Sequence, residues 1–285
     1  MNYRNVLNKG TSILKKFSIP SAQIDAELLL SLALKKNRER IILNLEENLN
    51  TFQAKNYFQL IERRKKREPI SIILGKKFFW KEEYLVNRNV LTPRFETELL
   101  IEQLLKIYKN SERKSVLDIG TGSGCILISL LKDKNNWLGT GIDISKIALK
   151  IAKINAKIQQ VDNRITFIHS DVDKYSGRKY DLIVSNPPYI NKIEYSNLDI
   201  GVKGYEPKKA LYGGIDGLKV IEKVIKKSKI VLKNNGLLAM EIGYGQHYKV
   251  IKKLMNNGFY VIDEIKDYQN IKRFLLAKKL NNEKF

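Results

Sequence analysis

The stretch that most restricts how this chain can fold is Ser115-Val116-Leu117-Asp118-Ile119-Gly120-Thr121-Gly122-Ser123-Gly124, followed by the apolar segment from Cys125 to Leu131. Its first five residues read as a buried strand, the three alternating glycines as a turn, and the apolar segment as a helix. Strand, turn and helix in that order begin an α/β domain. Alternating glycines also let a backbone approach a ligand where any Cβ would clash. The spacing is not G-x-G-x-x-G, because the sixth position from Gly120 is Cys125 and from Gly122 is Leu127. A nicotinamide dinucleotide site is therefore disfavoured.

A second strand, Trp137 to Ile142, ends in Asp143, where an acid can accept both hydroxyls of a ribose or simply cap the next helix. Ser145 is expected to cap that helix, with Ile147, Ile151, Ile154 and Ile158 inward and Lys146, Lys150, Lys153 and Lys157 outward. A third strand, Ile165 to Ile168, ends near Asp171, an acceptor suited to an adenine amino group.

The fourth strand, Asp181 to Ser185, runs into Asn186-Pro187-Pro188-Tyr189. Ligands of open α/β sheets bind at the carboxyl ends of strands, so an Asn there is placed to meet a substrate. Two prolines remove two N–H donors and stiffen the chain, leaving carbonyls as acceptors. A planar –NH2 group fits such a site, with its hydrogens on the Asn186 side-chain oxygen and a carbonyl near Pro187, and its plane on Tyr189. The competing reading is an ordinary Pro-Pro turn.

Composition limits these readings. At 285 residues and 33.0 kDa, with 43% hydrophobic content, the chain can form one large domain and a smaller one. No apolar run approaches the roughly 20 residues of a bilayer span, and Met1-Asn2-Tyr3-Arg4 shows no secretory signal. A single cysteine, Cys125, precludes an internal disulfide and suits a reducing cytoplasm. One Cys and two His do not furnish a zinc cluster, so no metal is expected. The net charge of +22 favours an anionic partner, or it reflects lysines spread over solvated helix faces.

Residues 1–70 read as a helical domain. Ser21 is placed to cap a helix in which Ile24, Leu28, Leu29 and Leu32 recur at helical spacing, and a helix from Thr51 points Phe52, Phe58 and Ile61 inward. The second of these ends in Arg63-Arg64-Lys65-Lys66-Arg67, either a solvated helix end or a grip for phosphates. Residues 71–92 read as a β-hairpin or extended linker, and residues 93–285 as the α/β domain, opening with a helix from Glu96 to Tyr108. The polar stretch from Asn191 to Gly214 has the length of a functional loop, and its place beside the tetrad suggests a substrate lid.

Strand, glycine turn, two acids and Asn-Pro-Pro-Tyr together resemble a class I S-adenosylmethionine-dependent methyltransferase acting on a planar amino nitrogen. The chain is further similar, over nearly its whole length, to the protein-(glutamine-N5) methyltransferases of class I peptide-chain release factors, the HemK or PrmC family. The tetrad alone is shared with adenine-N6 methyltransferases of DNA and RNA, which stand as the alternative. Pro93-Arg94 with Glu96-Thr97-Glu98, and Tyr205-Glu206-Pro207, are narrower and carry the family resemblance, which also takes in Glu241-Ile242-Gly243 with Gln246.

The resemblance implies a seven-stranded, mostly parallel sheet behind a helical recognition domain, S-adenosylmethionine as cofactor, and a monomer that binds release factor rather than nucleic acid or membrane. It implies that Gly120, Thr121, Gly122, Ser123 and Gly124 surround the cofactor's methionine part, that Asp143 holds the ribose, and that Asp171 and Val172 lie at the adenine. Asn186 would meet both cofactor and substrate, with Pro187, Pro188 and Tyr189 holding the glutamine amide. Phe95 stands where the family has proline, and Val172 where a larger residue commonly packs on the adenine.

Overall fold

The computed structural model describes residues 1–109 and 112–280, and it divides into a helical unit and a sheet unit. The helical unit is Met1–Lys76 with Asp199–Tyr205, and the sheet unit is Lys77–Leu198 with the chain from Glu206 onward. The expected domain of 93–285 runs into residues 281–285, which lie outside the described residues.

In the helical unit, helices span Tyr3–Lys16, Ala22–Leu34, Arg38–Leu43, Thr51–Lys65 and Ile70–Leu74. Asn2 caps the first, and Asn50 with Gln53 forms a reciprocal capping box on the fourth. Their core joins Val6, Leu14, Ala26, Leu29, Leu30, Tyr57 and Ile61. Three expectations are corrected. Phe52 is 71% exposed, and Tyr57 takes the inward place instead. Ile24 and Leu32 are exposed, because the second helix turns Ala22, Asp25, Ala26 and Leu29 inward. Ser21 makes no side-chain cap; its hydroxyl donates to Asp25.

The basic cluster is largely paired within this unit. Arg63 forms a bidentate pair with Glu68, both contacts 2.9 Å, and Arg64 Nε donates to the buried Asp25 at 2.6 Å. Lys65 pairs with Glu62 at 3.0 Å, and Arg67 lies 3.9 Å from Asp199. The segment 70–74 is helical rather than extended, and the hairpin after it consists of β1 (Lys76–Phe79) and β2 (Glu82–Leu85).

The main sheet holds β3 (Ser115–Ile119), β4 (Leu138–Asp143), β5 (Ile165–His169), β6 (Tyr180–Ser185), β7 (Leu232–Glu241), β8 (Phe259–Lys266) and β9 (Lys272–Lys279), in the order β5-β4-β3-β6-β7-β9-β8. β3 to β7 pair in parallel, and β9 runs antiparallel to both β7 and β8. Both faces are buried over the central strands β4, β3 and β6, which explains why these are apolar without alternation. Leu117, Ile119, Ile183, Leu238 and Met240 enter one core, covered by helices Lys219–Val231 and His247–Asn256. Their neighbours Val116, Leu182, Val184, Leu237 and Ala239 enter the other, under helices Glu98–Ile107 and Cys125–Asp133.

The helix Lys146–Ile158 corrects the expected isoleucine stripe. Ile147, Ile154 and Ile158 are about half exposed, at 51%, 49% and 54%, while Ala148, Ile151, Ala152, Asn155 and Ala156 are buried. Close packing selects the small residues. A Cβ at Gly124 would fall 3.2 Å from the Ala152 Cβ, so nothing larger fits where this helix meets the glycine turn.

Candidate active site

β3 is the central strand at which the order reverses: β4 and β5 lie to one side, β6 and β7 to the other. The crevice at the carboxyl ends of β3 and β6 is therefore the switch point where open α/β sheets bind ligands. The glycine turn leaves β3 there and the tetrad leaves β6 there. Ser185 Oγ donates to the Ile119 carbonyl at 2.7 Å, tying the two strand ends together.

Gly120 and Gly122 have φ of 76° and 57°, the left-handed region that glycine adopts without strain. A Cβ on Gly120 would meet nothing within 4 Å, and one on Gly122 only the Gly120 carbonyl at 4.0 Å, so these two face open space. The turn is held from behind. Thr121 Oγ1 donates to Asp118 at 2.7 Å, and Asn155 Nδ2 donates to the Ser123 carbonyl at 2.9 Å while its Oδ1 accepts from Leu85 N–H.

Asp143, at the end of β4, accepts from Gly122 N–H at 2.9 Å with Oδ2 and from Ser145 N–H at 2.8 Å with Oδ1. Burial raises its pKa above the ordinary aspartate value, and those N–H groups oppose the rise. Two carboxylate oxygens offer about four acceptor sites, so capacity for hydroxyls remains. Holding the turn and accepting a ribose are thus compatible. Asp171, just beyond β5, accepts from Asp173 N–H at 3.0 Å and lies 3.6 Å from Lys223. Val172 is 8% exposed and packs in the core with Ile119 and Ile142. An open glycine turn, a carboxylate with spare lone pairs and an apolar neighbour fit an adenosyl group bearing an amino acid.

The tetrad is clamped along its backbone. Gln246 Nε2 donates to the Tyr189 carbonyl at 2.9 Å, and Gly213 N–H donates to the Ile190 carbonyl at 2.9 Å. A Cβ on Gly217 would come within 2.2 Å of the Tyr189 carbonyl, so that position admits only glycine. Asn186 and Tyr189 are half-buried and Pro187 is buried. Asn186 Nδ2 contacts Thr97 Oγ1 at 3.4 Å, and the Tyr189 hydroxyl donates to Glu241 Oε1 at 3.1 Å. Thr97 Oγ1 in turn donates to Glu241 Oε2 at 2.7 Å.

Burial pushes Glu241 up to about 7 and raises the Tyr189 phenol well above its ordinary value. Asp118, 1% exposed with Oδ1 lacking a protein partner, is likewise pushed by burial to about 7. Thr97, Asn155, Glu241 and Asp118 carried no role in the sequence reading. A signal existed for two of them: each is the one charged residue in an apolar run, in Val116-Leu117-Asp118-Ile119 and Leu237-Leu238-Ala239-Met240-Glu241-Ile242. Phe95, the departure from the family pattern, stacks on Tyr268 with ring centroids 5.1 Å apart, and both rings are exposed.

Among the described residues no cluster of His, Cys, Asp and Glu is arranged to hold a metal, and no helix is long and apolar enough to cross a membrane. The family described as "PrmC N-terminal domain" matches residues 5–75, and that described as "Methyltransferase small domain" matches residues 95–200. The fold is similar to that of a ribosomal protein L11 methylase from Lactobacillus delbrueckii subsp. bulgaricus, with a TM-score of 0.50 and 18% identity over 66% of this chain and 81% of that one. The fold and the methyltransferase family match together define a class I S-adenosylmethionine-dependent methyltransferase. The chain is 39% identical to a release factor glutamine methyltransferase of Clostridium botulinum, over 98% of this chain and all of that one, and 38% identical to one of Fusobacterium nucleatum, over 96% and 78%. It belongs to the release factor glutamine methyltransferase family.

Proposed function

We propose that this chain transfers a methyl group from S-adenosylmethionine to the side-chain amide nitrogen of a glutamine in class I peptide-chain release factors, the glutamine of their Gly-Gly-Gln motif. The observation that carries this reading is Asn186, anchored through its side chain beside the glycine turn, on a backbone stiffened by two prolines. The cofactor supplies an electrophilic methyl on a sulfonium.

An amide nitrogen is a poor nucleophile because its lone pair is delocalised into the carbonyl. Two hydrogen bonds from its –NH2, to Asn186 Oδ1 and the Pro187 carbonyl, aim the lone pair and draw positive charge off nitrogen as the new N–C bond forms. The proton leaves nitrogen after transfer, so no strong base is required. Asn suits the place because it is uncharged and its oxygen accepts, whereas an Asp would add a full charge beside a sulfonium. Pro188 and Tyr189 wall the amide plane. Gly120, Thr121, Gly122, Ser123 and Gly124 take the methionine part, Asp143 the ribose, and Asp171 and Val172 the adenine.

The helical unit recognises the release factor, and the enzyme works as a cytoplasmic monomer without stable nucleic-acid binding. Internal pairing of Arg63, Arg64, Lys65 and Arg67 supports that last point, because those cations already have carboxylate partners. Labelled methyl transfer to purified release factor, set beside DNA and tRNA, is the test. Label is expected in release factor and lost when the motif glutamine is replaced. Transfer only to nucleic acid would sink the reading in favour of an adenine-N6 activity.

A further inference from the structure

Thr97 and Glu241 lie behind the tetrad, each 2% exposed, and nothing in the reaction as described requires them. A threonine hydroxyl has one hydrogen. Here it is given to Glu241 Oε2 at 2.7 Å, so toward Asn186 the Thr97 oxygen offers lone pairs alone. The Asn186 atom facing it at 3.4 Å must then be the donor, Nδ2, and Oδ1 is left on the other side. The second carboxylate oxygen accepts from the Tyr189 hydroxyl at 3.1 Å. One buried carboxylate thereby holds both polar side chains of the tetrad.

We propose that Thr97 and Glu241 are positioning residues that fix the amide orientation of Asn186, presenting Oδ1 to the substrate –NH2, and lock the Tyr189 ring through its hydroxyl. The inference rests on the proposed role of Asn186 as the acceptor for the substrate amide. An ionised carboxylate suits the task because it only accepts, which sets the direction of every hydrogen bond in the chain Asn186 to Thr97 to Glu241. A glutamine would turn a donor toward one of the two hydroxyls and leave the direction unspecified. An Asn186 flipped by 180° would point its –NH2 at the substrate –NH2, donor against donor. The charged groups acting on the carboxylate are Arg273, favouring the ionised form, and Glu96, opposing it.

The test uses the full chain with release factor as substrate, at a pH above the value of about 7 for Glu241. Thr97→Val keeps the side-chain volume and removes the hydroxyl. It should lower kcat about 10-fold, the worth of one oriented hydrogen bond, while cofactor affinity by calorimetry and KM for release factor stay near wild type. Thr97→Ser restores the hydroxyl and should restore most of kcat. In an Asn186→Ala background Thr97→Val should cost nothing more, because its effect runs through Asn186.

Glu241→Gln should lower kcat in the same way, and adding Tyr189→Phe to it should cost less than adding it to the wild type. Losses that multiply in the Asn186→Ala background, or a Thr97→Val enzyme with wild-type kcat, overturn the proposal. A measurement without substrate separates this from the function itself: the Asn186 side-chain amide resonance of the ligand-free protein should shift in Thr97→Val and return in Thr97→Ser. An unmoved resonance overturns the relay even if release factor is methylated. A wild type inert on release factor, with the resonance shifting as expected, would fault the substrate and leave the relay standing.

Discussion

Arg94 Nη2 donates to Glu206 Oε2 across 2.6 Å, joining two segments that lie 112 residues apart in the chain. The Glu206 side chain is 1% exposed and that of Arg94 33%. Burial raises the Glu206 pKa, and the charge of Arg94 opposes it. The pair ties the Pro-Arg segment, which leads into Thr97, to the Glu-Pro segment within the insertion after the tetrad. These were two separate family signatures in sequence; in space they are one ion pair, with Arg94 immediately before the turn Phe95–Thr97.

Arg94→Ala should therefore destabilise the fold. Removing one partner leaves a buried carboxylate uncompensated, a loss of about 3 kcal/mol or more, read as a fall in thermal midpoint of several degrees. Replacing both partners together, Arg94→Met with Glu206→Gln, should recover part of it. An Arg94→Ala protein that melts with the wild type would show that the pair contributes nothing.

Asp143→Ala should weaken S-adenosylmethionine binding roughly 10-fold or more by calorimetry, since hydrogen bonds to a charged group are worth about 1.5–3 kcal/mol each. It also frees Gly122 N–H and Ser145 N–H. Asp143→Asn retains one acceptor oxygen and should fall between. Unchanged affinity in the alanine variant would leave Asp143 as a brace for the turn and nothing more.

Asn186→Ala should lower kcat about 100- to 1000-fold with cofactor affinity largely kept, the pattern for a group that acts in the transition state. Tyr189→Ala should harm both KM and kcat. Tyr189→Phe keeps the ring but strips Glu241 Oε1 of its donor, so it should lose activity measurably; a sequence-only view of Tyr189 as a packing wall predicts a mild effect. Steady-state methylation beside a thermal melt decides between them. Near wild-type turnover by a folded Asn186→Ala would reduce the tetrad to a turn.

Asp118 predicts a pH dependence of stability. Its carboxyl is raised by burial from the ordinary 3.8 to about 7, so the folded chain holds that proton more tightly than the unfolded chain. Stability from this group is full below about pH 4 and is lost as pH rises through about 7. Asp118→Asn is neutral throughout and still accepts from Thr121, so its melting temperature should gain on the wild type between pH 5 and 8. Taking the difference between the two proteins removes the parallel contribution of Glu241. A constant difference across that range would mean the carboxylate is ionised at both ends.

What could be read in the sequence followed from local rules. Residues buried on both faces of a parallel sheet must be apolar, so Val116-Leu117 and Leu182-Ile183-Val184 announced strands, and the glycines after β3 and prolines after β6 announced how those strands end. The family resemblance supplied the reaction class and the substrate. Helical faces were harder. A stripe of isoleucines at Ile147, Ile154 and Ile158 satisfies the helical period, yet the alanines beside it are the buried face, because how closely the helix approaches the glycine turn is a property of the packed whole. The same holds for charge. Arg63-Arg64-Lys65-Lys66-Arg67 reads as a cationic patch until Glu62, Glu68, Asp25 and Asp199 fold against it. Asn186 and Tyr189 were legible as candidates for the site; that Thr97, before helix Glu98–Ile107, and Glu241, at the end of β7, hydrogen-bond to them was not. A hydrogen bond between residues 144 positions apart leaves no period in the chain: the sheet order that brings β6 beside β7 puts Tyr189 at Glu241, and only the packing of the Phe95–Thr97 turn against the end of β7 puts Thr97 there.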